Sequence, residues 1–192
     1  KLPPTIHIAG TNGKGSLLSF IRQILHENGY LIHCYISPHL KSIEERFVIS
    51  NKQIEKQKLY NTLKYVKKIN HGKPITFFEI TTAAAFHLFA KEKADFTILE
   101  TGLGGRLDAT NVIKDAIIDI ITPISKDHQE YLSNSIKKII NEKLGIIKLS
   151  SSIIIGKQNI VVKNHIKKRI RNLANEKLIF GNQFRITNKN KK

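Results

Sequence analysis

The sequence contains no methionine, a single cysteine, and only 15 acidic residues against 32 lysines and arginines. Each scarcity excludes something. A lone Cys34 cannot close an internal disulfide, which removes the disulfide-stapled secreted scaffolds. No apolar run approaches the roughly 20 residues that a membrane-spanning helix requires, and Lys1-Leu2-Pro3-Pro4 lacks the apolar core of a secretory signal. These absences, with an ordinary hydrophobic content of 41%, predict a cytoplasmic globular protein without a membrane span. A chain of 192 residues has material for one good core and a small appendage, not for two full domains. Methionine is missing even at position 1, and an apolar strand starts almost at once. The expectation is that Lys1 follows a removed segment or lies inside a longer reading frame.

The shortage of acids leaves a formal net charge of +17 at pH 7, which raises nucleic acid as a partner. The basic residues are spread along the whole chain, however, and are densest only at Lys163 to Arg171, in company with heavy use of Ile and Asn. No zinc-finger, helix-turn-helix or RNA-binding signature accompanies them. Solvated lysine-rich helix faces account for this pattern better than a nucleic-acid groove.

What is present is concentrated at the start. The apolar run Thr5 to Ala9 feeds into Gly10-Thr11-Asn12-Gly13-Lys14-Gly15-Ser16, and an amphipathic helical pattern follows immediately. Glycines let the backbone bring N–H groups close to an anion, and the helix that follows aims its positive dipole end at the same place. Lys14 adds the full charge that a transferred phosphoryl group needs. The spacing departs from the common Walker pattern: two residues, not four, precede Gly13-Lys14, and Gly15 stands between the lysine and the hydroxyl of Ser16. A glycine-rich turn can also be a mere strand–helix junction; the strand before it, the lysine within it and the helix after it favour a phosphate cradle.

Along the chain, helical spacing at Leu17 to Leu25 stops at Asn28-Gly29, and a strand at Leu31 to Ile36 ends in Ser37-Pro38-His39. Phe47 to Ile49 reads as a short strand and Ile54 to Ile69 as an exposed helix, both accessory to the core. A helix from Phe78 to Lys91 precedes a buried strand, Phe96 to Leu99, that delivers Glu100. Further strands are expected at Ile117 to Ile121 and Ile153 to Ile155, with a helix over Ser135 to Ile147 between them. Alternating strands and helices predict an α/β fold with a doubly wound, mostly parallel sheet and flanking helices. In such sheets ligands sit beyond the carboxyl ends of the strands. The glycine loop, Ser37, Glu100 and His128 each follow a different strand, so the fold would gather them. Glu100 suits Mg²⁺, which prefers hard oxygen donors, although a carboxylate there could also cap the next loop. Ser37 could add a hydroxyl and His128 an imidazole. His7, His33 and Cys34 lie within strands and read as structural.

Five blocks, His7–Ser16 (HIAGTNGKGS), Ser37–Leu40 (SPHL) with Glu44–Ser50 (EERFVIS), Thr76–Ala90 (TFFEITTAAAFHLFA), Leu99–Val112 (LETGLGGRLDATNV) and Asp127–Lys148 (DHQEYLSNSIKKIINEKLGIIK), occur in the order found in one family. With them the chain resembles the folylpolyglutamate synthase/dihydrofolate synthase family of Mur-type ligases, over about Thr5 to Lys148. The resemblance implies the Mur-ligase central ATPase domain over residues 1–181, a basic or frayed end at 182–192, and no counterpart of the family's C-terminal domain. It implies an ATP-dependent ligase joining L-glutamate to dihydropteroate or tetrahydrofolates through an acyl phosphate, working as a cytoplasmic monomer. Thr11, Asn12, Gly13, Lys14, Gly15 and Ser16 would hold ATP, and Ser37, Glu100 and His128 would hold Mg²⁺. Lys143 would be carbamylated and assist a second metal, because an unmodified lysine offers no oxygen ligand. Lys14, Lys143 and His128 would be the catalytic set. Phe78 (or Phe77), Arg106, Leu107, Asp108, Ala109, Thr110 and Asn111 would bind the pterin, by stacking and by acceptance of pterin N–H bonds at Asp108.

The departures from the family matter too. Ser125-Lys126-Asp127-His128-Gln129 replaces a Gly-Leu-Asp-His-Thr type sequence and sets a cation beside a metal ligand. The helical segment that usually precedes the first strand has no match. Two competing expectations follow: a degenerate member that binds nucleotide without ligating, and, less well motivated, a basic nucleic-acid-associated P-loop protein.

Overall fold

A computed structural model of the protein describes residues 1–125 and 135–187. The chain runs β1 (Thr5–Ala9), α1 (Lys14–Glu27), β2 (Ile32–Tyr35), β3 (Phe47–Ile49), β4 (Lys52–Gln53), α2 (Lys56–Ile69), α3 (Phe77–Lys91), β5 (Phe96–Glu100), β6 (Ile118–Ile121), α4 (Ile136–Leu144), β7 (Ser152–Ile155), α5 (Ile160–Ile170) and β8 (Lys177–Ile179). Single 3₁₀ turns occupy Ile43–Arg46 and Ala109–Val112. All eight strands form one sheet in the order β4-β3-β2-β5-β1-β6-β7-β8. The strands from β2 to β8 in that order pair in parallel, whereas β3 and β4 form an antiparallel edge. The expected doubly wound α/β sheet is therefore observed, with β1 at its centre between β5 and β6.

Side chains alternate across a pleated strand, and that alternation sorts the core into layers. Ile6 and Ile8 of β1, Ile32 and Cys34 of β2, Ile98 of β5 and Ile120 of β6 face α1, which covers them with Leu17, Leu18, Ile21 and Leu25. The opposite face is covered twice. Tyr35, Phe47 and Leu99 pack beneath α2 and α3, while Ala9, Ile121, Ile153 and Ile155 pack beneath α4 and α5. Each fully buried Ile, Leu or Phe among them contributes roughly 1.5–3 kcal/mol. Thr76 starts α3 with a reciprocal capping box, its hydroxyl accepting from the Glu79 N–H while the Glu79 carboxylate accepts from the Thr76 N–H.

One expectation needs correction. The segment Phe47 to Ile69 is not accessory: β3 extends the main sheet, and Leu59 and Val66 of α2 enter the same cluster as Tyr35 and Leu99. The basic stretch Lys163 to Arg171 forms most of α5, a lysine-rich helix as expected, whose Val162, Ile166 and Ile170 face the core at helical spacing. His7, His33 and Cys34 are buried structural residues as expected. Burial depresses the His7 pKa to about 3 and raises that of the Cys34 thiol to about 12. No described helix is long and apolar enough to cross a membrane.

Candidate active site

The chain leaves β1 toward β2 through α1, whereas β6 leads away in the other direction through α4, so the crevice lies at the carboxyl ends of β1 and its neighbours. The glycine loop sits there. Gly10 has φ +151°, and a Cβ on it would fall 1.9 Å from Thr122 Oγ1 just past β6; only glycine lets the two strand ends come together. The N–H groups of Thr11 and Asn12 both donate to the Pro123 carbonyl, at 3.0 and 3.2 Å. Thr11 Oγ1 and Asn12 Nδ2 donate to the backbone and hydroxyl oxygens of Ser125. Thr11 and Asn12 therefore shape the loop. The amides left to meet an anion are those of the first turn of α1, residues 13–16, which have no intrahelical acceptor and receive no side-chain cap. Gly13, the N-cap, is left-handed at φ 81° with open space where a Cβ would stand.

Two lysines flank that turn. Lys14 Nζ donates to the Thr11 carbonyl at 3.3 Å and lies 4.0 Å from Glu100 Oε1. Lys143, delivered by α4 and almost fully buried, donates from Nζ to the Gly10 carbonyl at 2.8 Å. Glu100, at the end of β5, is buried beside the small Gly15, and its Oε2 accepts the Ser37 N–H at 3.3 Å. Desolvation pushes the Glu100 carboxyl above its ordinary range, opposed by the Ser37 N–H and by the charges of Lys14 and Arg46. The structure thus brings Lys14, Gly15, Ser37, Glu100 and Lys143 to one place. His128 lies outside the described residues. Among the described residues no cluster of three or more His, Cys, Asp or Glu could by itself enclose a metal ion. A single buried carboxylate with a neighbouring serine beside a phosphate cradle is a donor set that suits Mg²⁺, which takes few protein ligands and completes its shell with phosphate oxygens and water.

A cleft of about 830 Å³ adjoins Ser37 and is lined by Pro38, Arg46, Phe77, Phe78, Leu103 and Asp108 among others. Phe78 packs its ring against Gly102, where a Cβ would meet it at 2.6 Å, and lies 5.7 Å from the Tyr35 ring. Phe77 is 55% and Leu107 78% exposed at the rim. The sequence reading gave Asp108 to the pterin as an acceptor; in the structure its four acceptor positions serve its own loop. Oδ2 accepts from the Gly102 and Leu103 N–H groups, and Oδ1 from the N–H and hydroxyl of Thr110. Thr110 is fully buried, with His7 Nε2 2.8 Å from its hydroxyl, so it too supports the loop from beneath. Asn111 ties the loop to α4 by donating to the Arg106 and Gly145 carbonyls, and Arg106 pairs with Glu142 at 2.9 Å. Ala109 opens the 3₁₀ turn that Asp108 caps.

Sequence reasoning missed Thr122, Pro123 and Ser125, which shape the glycine loop, and Gln158, which holds that segment by bonds to Thr122 and Ile124. They lie more than 100 residues or a whole strand away from the loop, with no local signal. It also assigned nothing to Arg46, although Glu44–Ser50 was among the matching blocks.

A parallel sheet carrying a glycine loop, a lysine on the following helix and a buried carboxylate on the next strand defines a phosphate-binding α/β domain of the P-loop type. The family model of the Mur ligase middle domain matches residues 8–191, and the chain belongs to that family. It is 45% identical over 150 residues to the dihydrofolate synthase/folylpolyglutamate synthase of Bacillus subtilis, covering 74% of this chain and 34% of the relative. It is 36% identical to the dihydrofolate synthetase of Saccharomyces cerevisiae, covering 93% of this chain and 43% of the relative. Among solved structures it is similar to E. coli FolC in complex with DHPP and ADP, with a TM-score of 0.88 and 30% identity, over 97% of this chain and 45% of that one. The chain thus spans less than half the length of each. The motif resemblance and the α/β fold expected from it are both borne out.

Proposed function

We propose that this chain is the nucleotide-binding domain, residues 1–181, of an ATP-dependent ligase that joins L-glutamate to dihydropteroate or a reduced folate. One observation carries the reading: the phosphate cradle and the aromatic-lined cleft share a wall at Ser37, beside Glu100, so a nucleotide γ-phosphate and the acid group of a flat-ring substrate can meet there. The ADP and DHPP bound by the similar E. coli FolC are a nucleotide and a second ligand consistent with two such sites.

In this reading the N–H groups at the start of α1 and the Lys14 ammonium hold the phosphates, and Lys14 follows the migrating phosphoryl group and offsets its charge. The substrate carboxylate attacks phosphorus, ADP leaves, and the acyl phosphate then yields to the glutamate amine, releasing phosphate and forming the amide. Ser37 and Glu100 would hold Mg²⁺, with His128 and a carbamylated Lys143 as further candidates; the ion, when bound, neutralises phosphate oxygens. Phe77, Phe78 and Leu107 form the apolar walls for the ring system, and Asp108 fixes the loop that carries Leu107. The enzyme is read as a cytoplasmic monomer, with the lysines of α5 as a solvated face.

The test is turnover of the full-length protein. ADP release that requires dihydropteroate or a reduced folate together with glutamate is the expected result. Nucleotide binding without turnover on either acid would instead favour a family member that has lost ligation, and salt-sensitive binding to nucleic acid would favour the third reading.

A further inference from the structure

Arg46 ends the 3₁₀ turn beside the cleft and is only 8% exposed. A buried guanidinium normally has a carboxylate partner, since an unpaired buried charge is strongly unfavourable. Arg46 has none: no carboxylate of the described residues lies within ion-pair distance of it. The acidic groups around the cleft are engaged elsewhere. Glu45 accepts from the N–H groups of Leu40, Lys41 and Ser42, Glu79 from Thr76, Glu142 from Arg106, and Asp108 from its own loop.

What Arg46 does have is a mount. Its Nε donates to His39 Nδ1 at 2.8 Å, its guanidinium lies over the Phe77 ring at 5.2 Å, and its carbonyl accepts the Ile36 N–H. The Tyr35 hydroxyl is hydrogen-bonded by its guanidinium, and the Glu100 carboxylate feels its charge. Held by Nε, by the Tyr35 hydroxyl and by ring stacking, the side chain keeps a planar guanidinium with N–H groups to spare for a carboxylate. Arg46 lines the same cleft as Ser37, Phe77 and Phe78, and its charge reaches Glu100.

We infer that Arg46 is the anion anchor of the cleft and binds the carboxylate of the acid substrate, setting that group toward the phosphate cradle. The inference rests on the ligase reading above, which supplies an acid with a flat ring. A nucleotide phosphate is the alternative anion, but Arg46 lines the aromatic cleft, and among the described residues it makes no hydrogen bond or ion pair with the glycine loop.

The experiment measures binding of dihydropteroate, its neutral carboxamide and ADP to the wild-type protein and to Arg46→Gln and Arg46→Lys. Wild type should bind the acid roughly 10- to 100-fold more tightly than the amide. Arg46→Gln should lose that preference and bind both equally weakly, and Arg46→Lys should recover part of it. ADP affinity and melting temperature should stay the same or rise in Arg46→Gln, because a buried unpaired charge is removed. Arg46 is a structural strut, and the inference fails, if Arg46→Gln melts earlier and loses acid and amide binding in proportion. Retained preference for the acid in Arg46→Gln, or equal binding of acid and amide by wild type, also overturns it while leaving the ligase reading intact. A loss of ADP affinity alone assigns Arg46 to the nucleotide and overturns it as well. Wild type that binds neither pterin compound removes the ligase reading and this inference together.

Discussion

The glycine loop and the cleft beside it are built on opposite principles. The loop works with backbone: glycines at 10, 13 and 15, amides at the start of α1, and carbonyls of Gly10 and Pro123 that fix its shape. The cleft works with side chains drawn from the turn after β2, the start of α3 and the loop after β5, several of them apolar and open at the rim. A phosphate is the same in every substrate, so a fixed backbone concavity suffices for it. A flat-ring acid must be told from its relatives, and side chains on loops supply that choice without disturbing the sheet beneath.

If this division is right, the two regions should break differently. The largest effect is expected at Gly10. Gly10→Ala would drive a Cβ into Thr122 and should lower stability by about 3 kcal/mol and abolish nucleotide binding. Gly13→Ala has open space and a left-handed φ alone to contend with, and should cost only about 1 kcal/mol; thermal melts and ADP titration of both variants compare them. Next, Lys14→Met should lower turnover roughly 100- to 1,000-fold with the fold intact, measured as ADP release.

Glu100→Gln sharpens the contrast from the other side. The buried carboxyl binds its proton more tightly folded than unfolded, so stability falls as pH rises from its ordinary value of 4.5 through the raised folded value. Above that window the charged group is a burden that glutamine lacks. Glu100→Gln should therefore melt higher than wild type near neutral pH, with the gap closing toward and below about pH 4.5, while losing Mg²⁺-dependent nucleotide affinity. A lower melting temperature at neutral pH would contradict the buried-carboxylate account. The smallest effect belongs to the cleft. Leu107→Ala should change stability by less than about 0.5 kcal/mol, weaken pterin binding by roughly 10-fold, and leave ADP affinity unchanged.

The same division governs what could be read from the sequence. Gly10 to Ser16 is contiguous, and the loop was legible as a candidate phosphate cradle because the glycines, the lysine and the strand–helix junction all lie within one short stretch. Glu100 and Ser37 were legible from strand-end positions once a parallel sheet was expected. The role of Asp108 was not, because a carboxylate that closes its own loop and one that faces a ligand look alike in sequence. Strand β8 was missed because three residues carry too little period, and the buried face of α5 because its lysines obscured Val162, Ile166 and Ile170.

The sequence by itself determined the α/β class, the glycine loop at the end of the first strand and the family, since these depend on local periodicity, on glycine and on contiguous motifs. Tertiary structure alone decided which loop amides face outward, that Pro123 and Gln158 brace the loop from distant strands, and that Arg46 lies buried beside the cleft with no ion-pair partner among the described residues. Those facts depend on long-range packing and on where each carboxylate finds its donors, and no stretch of sequence records either.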